Sequence, residues 1–361
     1  MADTEKKQPL LAVVGPTASG KTALSVRLAG ALNGEVISAD SMQMYRGMDI
    51  GTAKPTPDEM DGIPHHLIDI LELDESFSVA DYTALCRPLI AEIGERGRLP
   101  ILTGGTGLYI SAVIDHIQFS PIPSDEALRE SLRRQAEEEG AEALHQILRQ
   151  FDPESAAAIH PNNLGRVIRA IEVYRLTGVT MSEYNRRSRS VPSPYRTCII
   201  GLTSRDRQVL YDRIDRRVDR MVQSGLLEEA KEILSKENLS RTAAQAIGYK
   251  ELRGWFFGTE SLGRSVERLK QESRNYAKRQ LTWFRREKAA RWLFIDDFPD
   301  EDALFRAALE LVRWELYGEK EARQEDKPEA EGTVRQKVEP EAGPEPRRRT
   351  EGENAGKEAA G

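Results

Sequence analysis

Leu10-Leu-Ala-Val-Val14 runs directly into Gly15-Pro-Thr-Ala-Ser-Gly-Lys-Thr22. Five consecutive apolar residues read as a strand buried on both faces. The eight that follow are a complete G-x-x-x-x-G-K-[ST] loop, and a helical stretch continues from it to about Leu32. In such a loop, glycines let successive backbone N–H groups turn inward around phosphate oxygens. The helix that starts near Gly20 adds the positive end of its dipole. Lys21 supplies a point charge, and the Thr22 hydroxyl is a ligand for Mg²⁺. The loop announces a bound di- or triphosphate without saying whose.

Glu35–Ala39 and Leu99–Thr103 read as further buried strands, with a helix over Val79–Arg96 between them that stops before Gly97. Cys198–Leu202 and Arg291–Ile295 look like later strands of the same sheet. Strands alternating with helices predict an α/β fold with a doubly wound parallel sheet. Pro121–Pro194 differs, since its signals are nearly all helical: Ser124 as a cap, then helix-period runs broken at Gly140 and at Asp152-Pro153. The expected organisation is therefore a core over 1–120, a helical insertion over 121–195, the rest of the core with a basic helix over 196–317, and a tail over 318–361. A chain of 361 residues exceeds one comfortable core, which agrees with two packed units.

No apolar run approaches the roughly 18 residues of a membrane helix, so the expectation is a soluble, cytoplasmic protein with no membrane partner. Cys86 and Cys198 are far apart and outside any C-x-x-C, which argues against a disulfide framework or a thiolate zinc site. His65-His66 are neighbours, and on a strand neighbours face opposite ways, a poor start for a metal site. The net charge of −7 looks hostile to nucleic acid until it is divided. From Gly318 onward the chain holds 12 acidic and 9 basic residues and no Leu, Ile, Phe, Tyr or Trp. That composition cannot offset the entropy of ordering, so a disordered C-terminal tail is expected. In the body, arginines cluster between Arg166 and Arg220 and between Arg264 and Arg291, and local charge is the better guide to partners.

A nucleotide hydrolase or kinase of this loop class also needs a strand ending in a metal-linked Asp. Leu99-Pro-Ile-Leu-Thr-Gly-Gly-Thr106 ends instead in Thr and Gly. The acid near the phosphate loop is Asp40, in Ile37-Ser-Ala-Asp-Ser-Met-Gln43. It reads either as a turn aspartate or as a general base at the carboxyl edge of the sheet, where open α/β folds bind ligands.

Taken together, the phosphate loop, Ser38-Ala-Asp-Ser-Met-Gln43, Tyr45-Arg-Gly-Met-Asp-Ile-Gly-Thr-Ala-Lys54, Gly104-Gly-Thr-Gly-Leu-Tyr109 and Lys278-Arg-Gln-Leu-Thr-Trp-Phe-Arg285 resemble the bacterial tRNA dimethylallyltransferases. The likeness runs in order from about residue 9 to 300 and leaves the tail uncovered. It implies transfer of a dimethylallyl group from dimethylallyl diphosphate, with Mg²⁺, to N6 of adenine 37 beside the anticodon of tRNA. It implies that Gly15, Thr17, Ala18, Ser19, Gly20, Lys21 and Thr22, together with Arg217, hold the diphosphate, with Thr22 also on the metal. Asp40 would be the base and Thr106 its catalytic companion. Asp40, Ser41, Met42 and Gln43 would meet the target adenine or its neighbours. Arg166 and Arg169, Gly248, Tyr249 and Lys250, and Lys278, Arg279, Trp283 and Arg285 would contact the tRNA anticodon stem-loop. A monomer is expected. The rivals are an adenylate isopentenyltransferase acting on a free nucleotide, which would not need the insertion and the basic helix, and a small-molecule kinase, which would need the missing strand-end acid.

Overall fold

The structure is a computed structural model that describes residues 7–119 and 124–322. In chain order its strands and helices are β1 (Gln8–Val14), α1 (Lys21–Ala31), β2 (Gly34–Ser38), α2 (Pro57–Met60), β3 (His65–His66), α3 (Val79–Glu95), β4 (Leu99–Gly104) and α4 (Gly107–Ile114). There follow α5 (Glu126–Glu139), α6 (Ala141–Phe151), α7 (Pro153–Ala158), α8 (Leu164–Thr177) and α9 (Met181–Ser188). The chain then returns to the sheet through β5 (Tyr195–Thr203), α10 (Arg207–Gln223), α11 (Leu226–Leu234), α12 (Arg253–Phe256), α13 (Leu262–Phe284), β6 (Ala290–Phe294) and α14 (Glu301–Ala322).

Six strands form one parallel sheet in the order β3-β2-β4-β1-β5-β6. The alternation along β1 explains its continuous apolar run. Leu10, Ala12 and Val14 enter the larger core with α3, α4 and α11, whereas Leu11 and Val13 enter a second core beneath α1 and α14. The order places the carboxyl ends of β2, β4 and β1 side by side, so three loops converge there.

Local chemistry fixes the element ends. Ser78 and Asp81 form a capping box at α3, and Gly20, at φ 92°, caps α1. At α5 the cap is Asp125, whose Oδ1 accepts from Leu128 N at 2.9 Å, and not Ser124 as the sequence suggested. An Asp one residue later offers the better acceptor. β5 is longer than expected because its first residues pair with the start of β1, Gln8 opposite Tyr195. α14 was not anticipated, although Leu304, Ala308, Val312 and Leu316 recur every fourth residue and form its buried face. Gly318, at φ 76°, breaks that helix, and helical turns resume to residue 322. So the first residues of the expected disordered tail are helical, and its remainder, 323–361, lies outside the described residues.

α5, α6, α7 and α8 share a core of their own, with Leu132, Leu144, Leu148, Val167 and Ile171 buried together. One buried carboxylate ties that group: Glu172 accepts from Asp125 N (2.9 Å), Arg129 Nε (2.9 Å) and an Arg169 guanidinium N (2.6 Å). Burial alone would raise its pKa, but those three donors win and hold it below the usual carboxylate range. We keep the division at 121 and 195 as our proposal for the unit boundaries. Among the described residues no helix is long and apolar enough to cross a membrane.

The meeting of β2 and β4 leaves no room for a side chain at Gly104, where a Cβ would overlap the backbone carbonyl of Ala39. Gly104→Ala should therefore cost about 1–3 kcal/mol of stability, as overpacking does. Gly30→Ala, at an exposed site of α1 where a Cβ meets nothing, should be neutral or stabilise by up to about 1 kcal/mol. Chemical denaturation of the two variants checks the contrast.

Candidate active site

The phosphate loop is held by β5, α10 and its own carbonyls. Gly15 has φ 144°, and a Cβ there would overlap the carbonyl of Leu202 in β5. Ala18 adopts φ 61°, unusual for a residue with a side chain, and its carbonyl accepts from Arg213 Nε at 2.9 Å. Ser19 is 1% exposed, and its hydroxyl has no protein partner. Lys21 Nζ donates to Pro16 O at 2.7 Å. Burial, reinforced by Arg217 and opposed by Asp40, pulls the Lys21 ammonium down to about 7. Arg217 is lowered as well, by burial first, against the pull of Asp40. An unsatisfied hydroxyl and two cations that burial disfavours together make a site whose field a diphosphate would neutralise.

Across from this cradle, the chain leaving β2 is fastened to β4. Ala39 N donates to Thr103 O (2.8 Å), and Thr106 N donates to Ala39 O (3.0 Å). Asp40 Oδ1 accepts from Met42 N at 3.0 Å. The turn reading and the functional reading of Asp40 are thus compatible, because the same carboxylate lines the cavity. Thr106 Oγ1 accepts from Ser41 N at 3.1 Å and lies 3.4 Å from Ser41 Oγ, which ties the two loops. Gln43 lines the cavity too, but its amide is engaged at both ends, accepting from Ser38 Oγ (3.1 Å) and donating to Ala53 O (3.2 Å).

α13 closes the arrangement. Leu269, Ser273, Tyr276 and Gln280 recur at helical spacing and all face the cavity. Gln280, 4% exposed, accepts from Thr17 N at 2.9 Å and donates to Gly105 O at 3.1 Å, so one amide joins the phosphate loop to the β4–α4 loop. Tyr276 lies within hydrogen-bonding reach of Thr106 and beside Asp40; burial and that carboxylate push its phenol well above the usual tyrosine range. Neither role was assigned from sequence, although Gln280 sits inside a motif quoted for its other residues. The result is a channel of about 320 Å³. Thr17, Lys21, Thr22 and Arg217 give it a phosphate end, Asp40 a carboxylate, and Ile214, Val218, Met221, Ala246, Ile247 and Leu269 an apolar stretch.

The other expected contact residues divide. Ser41, Met42, Lys250 and Arg279 line the channel, and Lys278, Arg285 and Arg166 are exposed. Arg169 is spent on Glu172, and Trp283 packs over Gly107 with its Nε1 donating to Ser111 Oγ at 3.1 Å. Tyr249 is 1% exposed and donates to Glu229, and Gly248 is buried beside Gly51. From these positions Tyr249 and Gly248 offer no surface to a large partner. His66 Nε2 bonds Glu35 (2.7 Å) and His65 Nδ1 bonds Ile63 O (2.8 Å); no cluster of three metal-ligating side chains occurs among the described residues.

Comparison with known proteins places these observations in a family context. The model of the IPP transferase family matches residues 43–287. The tRNA dimethylallyltransferase of Halalkalibacterium halodurans is 55% identical over 291 residues, 81% of this chain and 92% of that protein. That of Bacillus subtilis is 54% identical over 311 residues, 86% and 96% of the two chains. Among solved structures, the tRNA isopentenylpyrophosphate transferase of Bacillus halodurans is similar with a TM-score of 0.65 at 51% identity, over 86% of this chain and 97% of that one. A eukaryotic dimethylallyltransferase solved acting on tRNA is similar with a TM-score of 0.70 at 29% identity, over 83% and 77%.

A lysine lowered to about 7 gives the cradle a proton signature. Inorganic pyrophosphate should restore the ammonium, so binding at pH 8 should take up close to one proton more in the wild type than in Lys21→Met. Calorimetry in buffers of different ionisation enthalpy reads that difference, which should shrink towards pH 6. The same depressed lysine costs the unliganded protein stability below pH 7, a cost that fades as pH rises from about 7 towards 10.5. Lys21→Met should accordingly raise the unliganded melting temperature more at pH 6 than at pH 9.

Proposed function

The chain belongs to the IPP transferase family, and from that premise we propose that it is a tRNA dimethylallyltransferase. It moves the dimethylallyl group of dimethylallyl diphosphate to N6 of adenine 37, next to the anticodon of tRNA, and releases pyrophosphate. One observation carries the reading: a phosphate cradle, an Asp carboxylate and an apolar stretch share one channel, with no strand-end acid on β4 to activate water.

The reaction follows from that arrangement. The loop amides, Ser19, Lys21 and Arg217 hold the diphosphate and stabilise the charge that builds on it as the allylic C1–O bond breaks. The N6 lone pair of the adenine attacks C1, and the electron pair of the broken bond leaves with pyrophosphate. Asp40 accepts the N6 proton, held at its station by Met42 N, while Thr106 and Tyr276 order the loop beside it. The base must leave the anticodon stack to enter the channel. The hydroxyl of Thr22, at the phosphate end of the channel, would hold a Mg²⁺ accompanying the diphosphate, and such an ion would add charge neutralisation on the leaving group. Exposed Lys278, Arg279, Arg285 and Arg166 take the phosphates of the tRNA. The reading is of a monomer working in the cytoplasm.

Two experiments test it. Mass spectrometry of tRNA nucleosides after incubation with dimethylallyl diphosphate and Mg²⁺ should find an N6-prenylated adenosine. In single-turnover kinetics Asp40→Asn should lower the chemical step by roughly 10²–10⁴ with both substrates still bound. A near-normal rate would return Asp40 to a turn residue. For the surface, Arg166→Ala should flatten the salt dependence of tRNA binding, by about one counterion, with stability unchanged. Arg169→Ala should chiefly destabilise, because it strips a partner from the buried carboxylate of Glu172. Salt titrations and melting curves on the two variants separate the roles.

A further inference from the structure

The channel has two walls that no strand holds together. One is the segment after the β2 loop, which presents Gly51, Thr52 and Ala53; the other presents Gln245, Ala246, Ile247 and Lys250. Both converge on the side chain of Glu229 in α11. Its Oε2 accepts from Asp49 N (3.1 Å) and Ile50 N (2.7 Å), and its Oε1 from Gly51 N (2.8 Å) and from the Tyr249 hydroxyl (2.7 Å). Successive inward amides form an anion-binding hollow. Here α11 fills the hollow with its own carboxylate and uses the remaining lone pair to reach the opposite wall. Burial and that carboxylate push the Tyr249 phenol far above its usual range, so it remains a donor at any working pH.

The backbone is shaped for the same contact. A Cβ on Gly51 would lie 2.7 Å from the Tyr249 ring, and Gly248, at φ 109°, faces the Cα of Gly51. Two glycines thus let the walls touch where Glu229 ties them. Behind the first wall, Lys54 Nζ is buried between Tyr45 O, Asp49 and Asp69, which stiffens the segment that the carboxylate grips. Neither Glu229 nor Tyr249 lines the channel, so their influence on a ligand passes through the walls.

We infer that Glu229 is a positioning residue that fixes the width of the channel between residues 49–53 and 245–250, and thereby restricts the prenyl donor to a five-carbon chain. The inference rests on the transferase reading. It follows from where Ala246 and Ile247 sit: they are on the tied wall and belong to the apolar stretch, so a longer chain must push that wall away from the first. A packed pocket discriminates against extra methylenes, and a loosened one does not.

The test uses the full chain with Glu229→Ala, Glu229→Gln and Tyr249→Phe. Steady-state transfer to tRNA is measured with dimethylallyl diphosphate and with the ten-carbon geranyl diphosphate, alongside melting temperatures. Glu229→Ala should lower kcat/KM for the five-carbon donor by about 10–100-fold, the scale of a small misplacement. The ten-to-five-carbon ratio of kcat/KM should rise at least about tenfold. Tyr249→Phe should move the ratio the same way by less, because the amide contacts survive. Glu229→Gln should fall between, since one amide oxygen replaces two acceptors. If Glu229→Ala fails to fold, the other two variants carry the comparison. A ratio unchanged in the folded variants, whatever their melting temperatures, would overturn the inference and leave Glu229 a stabilising residue only. A wild type that transfers nothing from dimethylallyl diphosphate to tRNA would instead overturn the transferase reading.

Discussion

The amide of Gln280 is the contact on which the site depends. Its oxygen takes the N–H of Thr17 in the phosphate loop, and its nitrogen takes the carbonyl of Gly105 in the loop after β4. A primary amide can accept in one direction and donate in the other from a single planar group. A carboxylate or an ammonium could serve only one of the two loops. Because Gly105 has no side chain, α13 approaches closely enough for the bridge to form, and Tyr276, one turn earlier on the same face, then arrives beside Asp40. The phosphate loop and the loop after β4, which is bonded to the segment carrying Asp40, are held together by a helix packed over the sheet edge.

Around this bridge the protein tolerates local cost. The phosphate loop carries a non-glycine residue at positive φ, a buried hydroxyl without a partner and a lysine whose charge burial disfavours. Each is a small penalty in the protein by itself, and on the transferase reading each is available to a bound diphosphate. Elsewhere two buried charges are well paired: Glu172 between Arg129 and Arg169, and Lys54 between Asp49 and Asp69.

Much of this could be read from the residues alone, and the exceptions have physical reasons. The central strand was legible because both of its faces are buried, which leaves an unbroken apolar run, and the phosphate loop because glycine spacing is dictated by backbone geometry. Asp40 was legible as a position but ambiguous in role, since one carboxylate oxygen holds a turn while the group also faces the channel. Glu229 was invisible. It stands beside Glu228 in an acidic first turn, and nothing local distinguishes the two; only the approach of a loop some 180 residues earlier does. Tyr249 and Arg169 stand in motifs that resemble ones that meet tRNA; packing turns Tyr249 inward, while Arg169 pairs with Glu172 and keeps 33% of its side chain exposed. Short-range pattern gave the backbone frame, and long-range contact decided which side chains were left over for a partner.

The pairing of β1 with β5 has a consequence for how the protein is made. β1 lies between both cores, yet its partner on one side, beginning at Tyr195 opposite Gln8, follows all five helices from Glu126 to Ser188. During synthesis β1 can acquire β4 early, but its other edge stays unpaired until β5 has left the ribosome. An exposed apolar edge is a template for pairing with a wrong strand. The helices that intervene depend on contacts near in sequence and carry a core of their own, so they can form during that interval and shorten the loop that β5 must close. The segment placed between the two halves of the sheet thus shapes the order of assembly of the nascent chain.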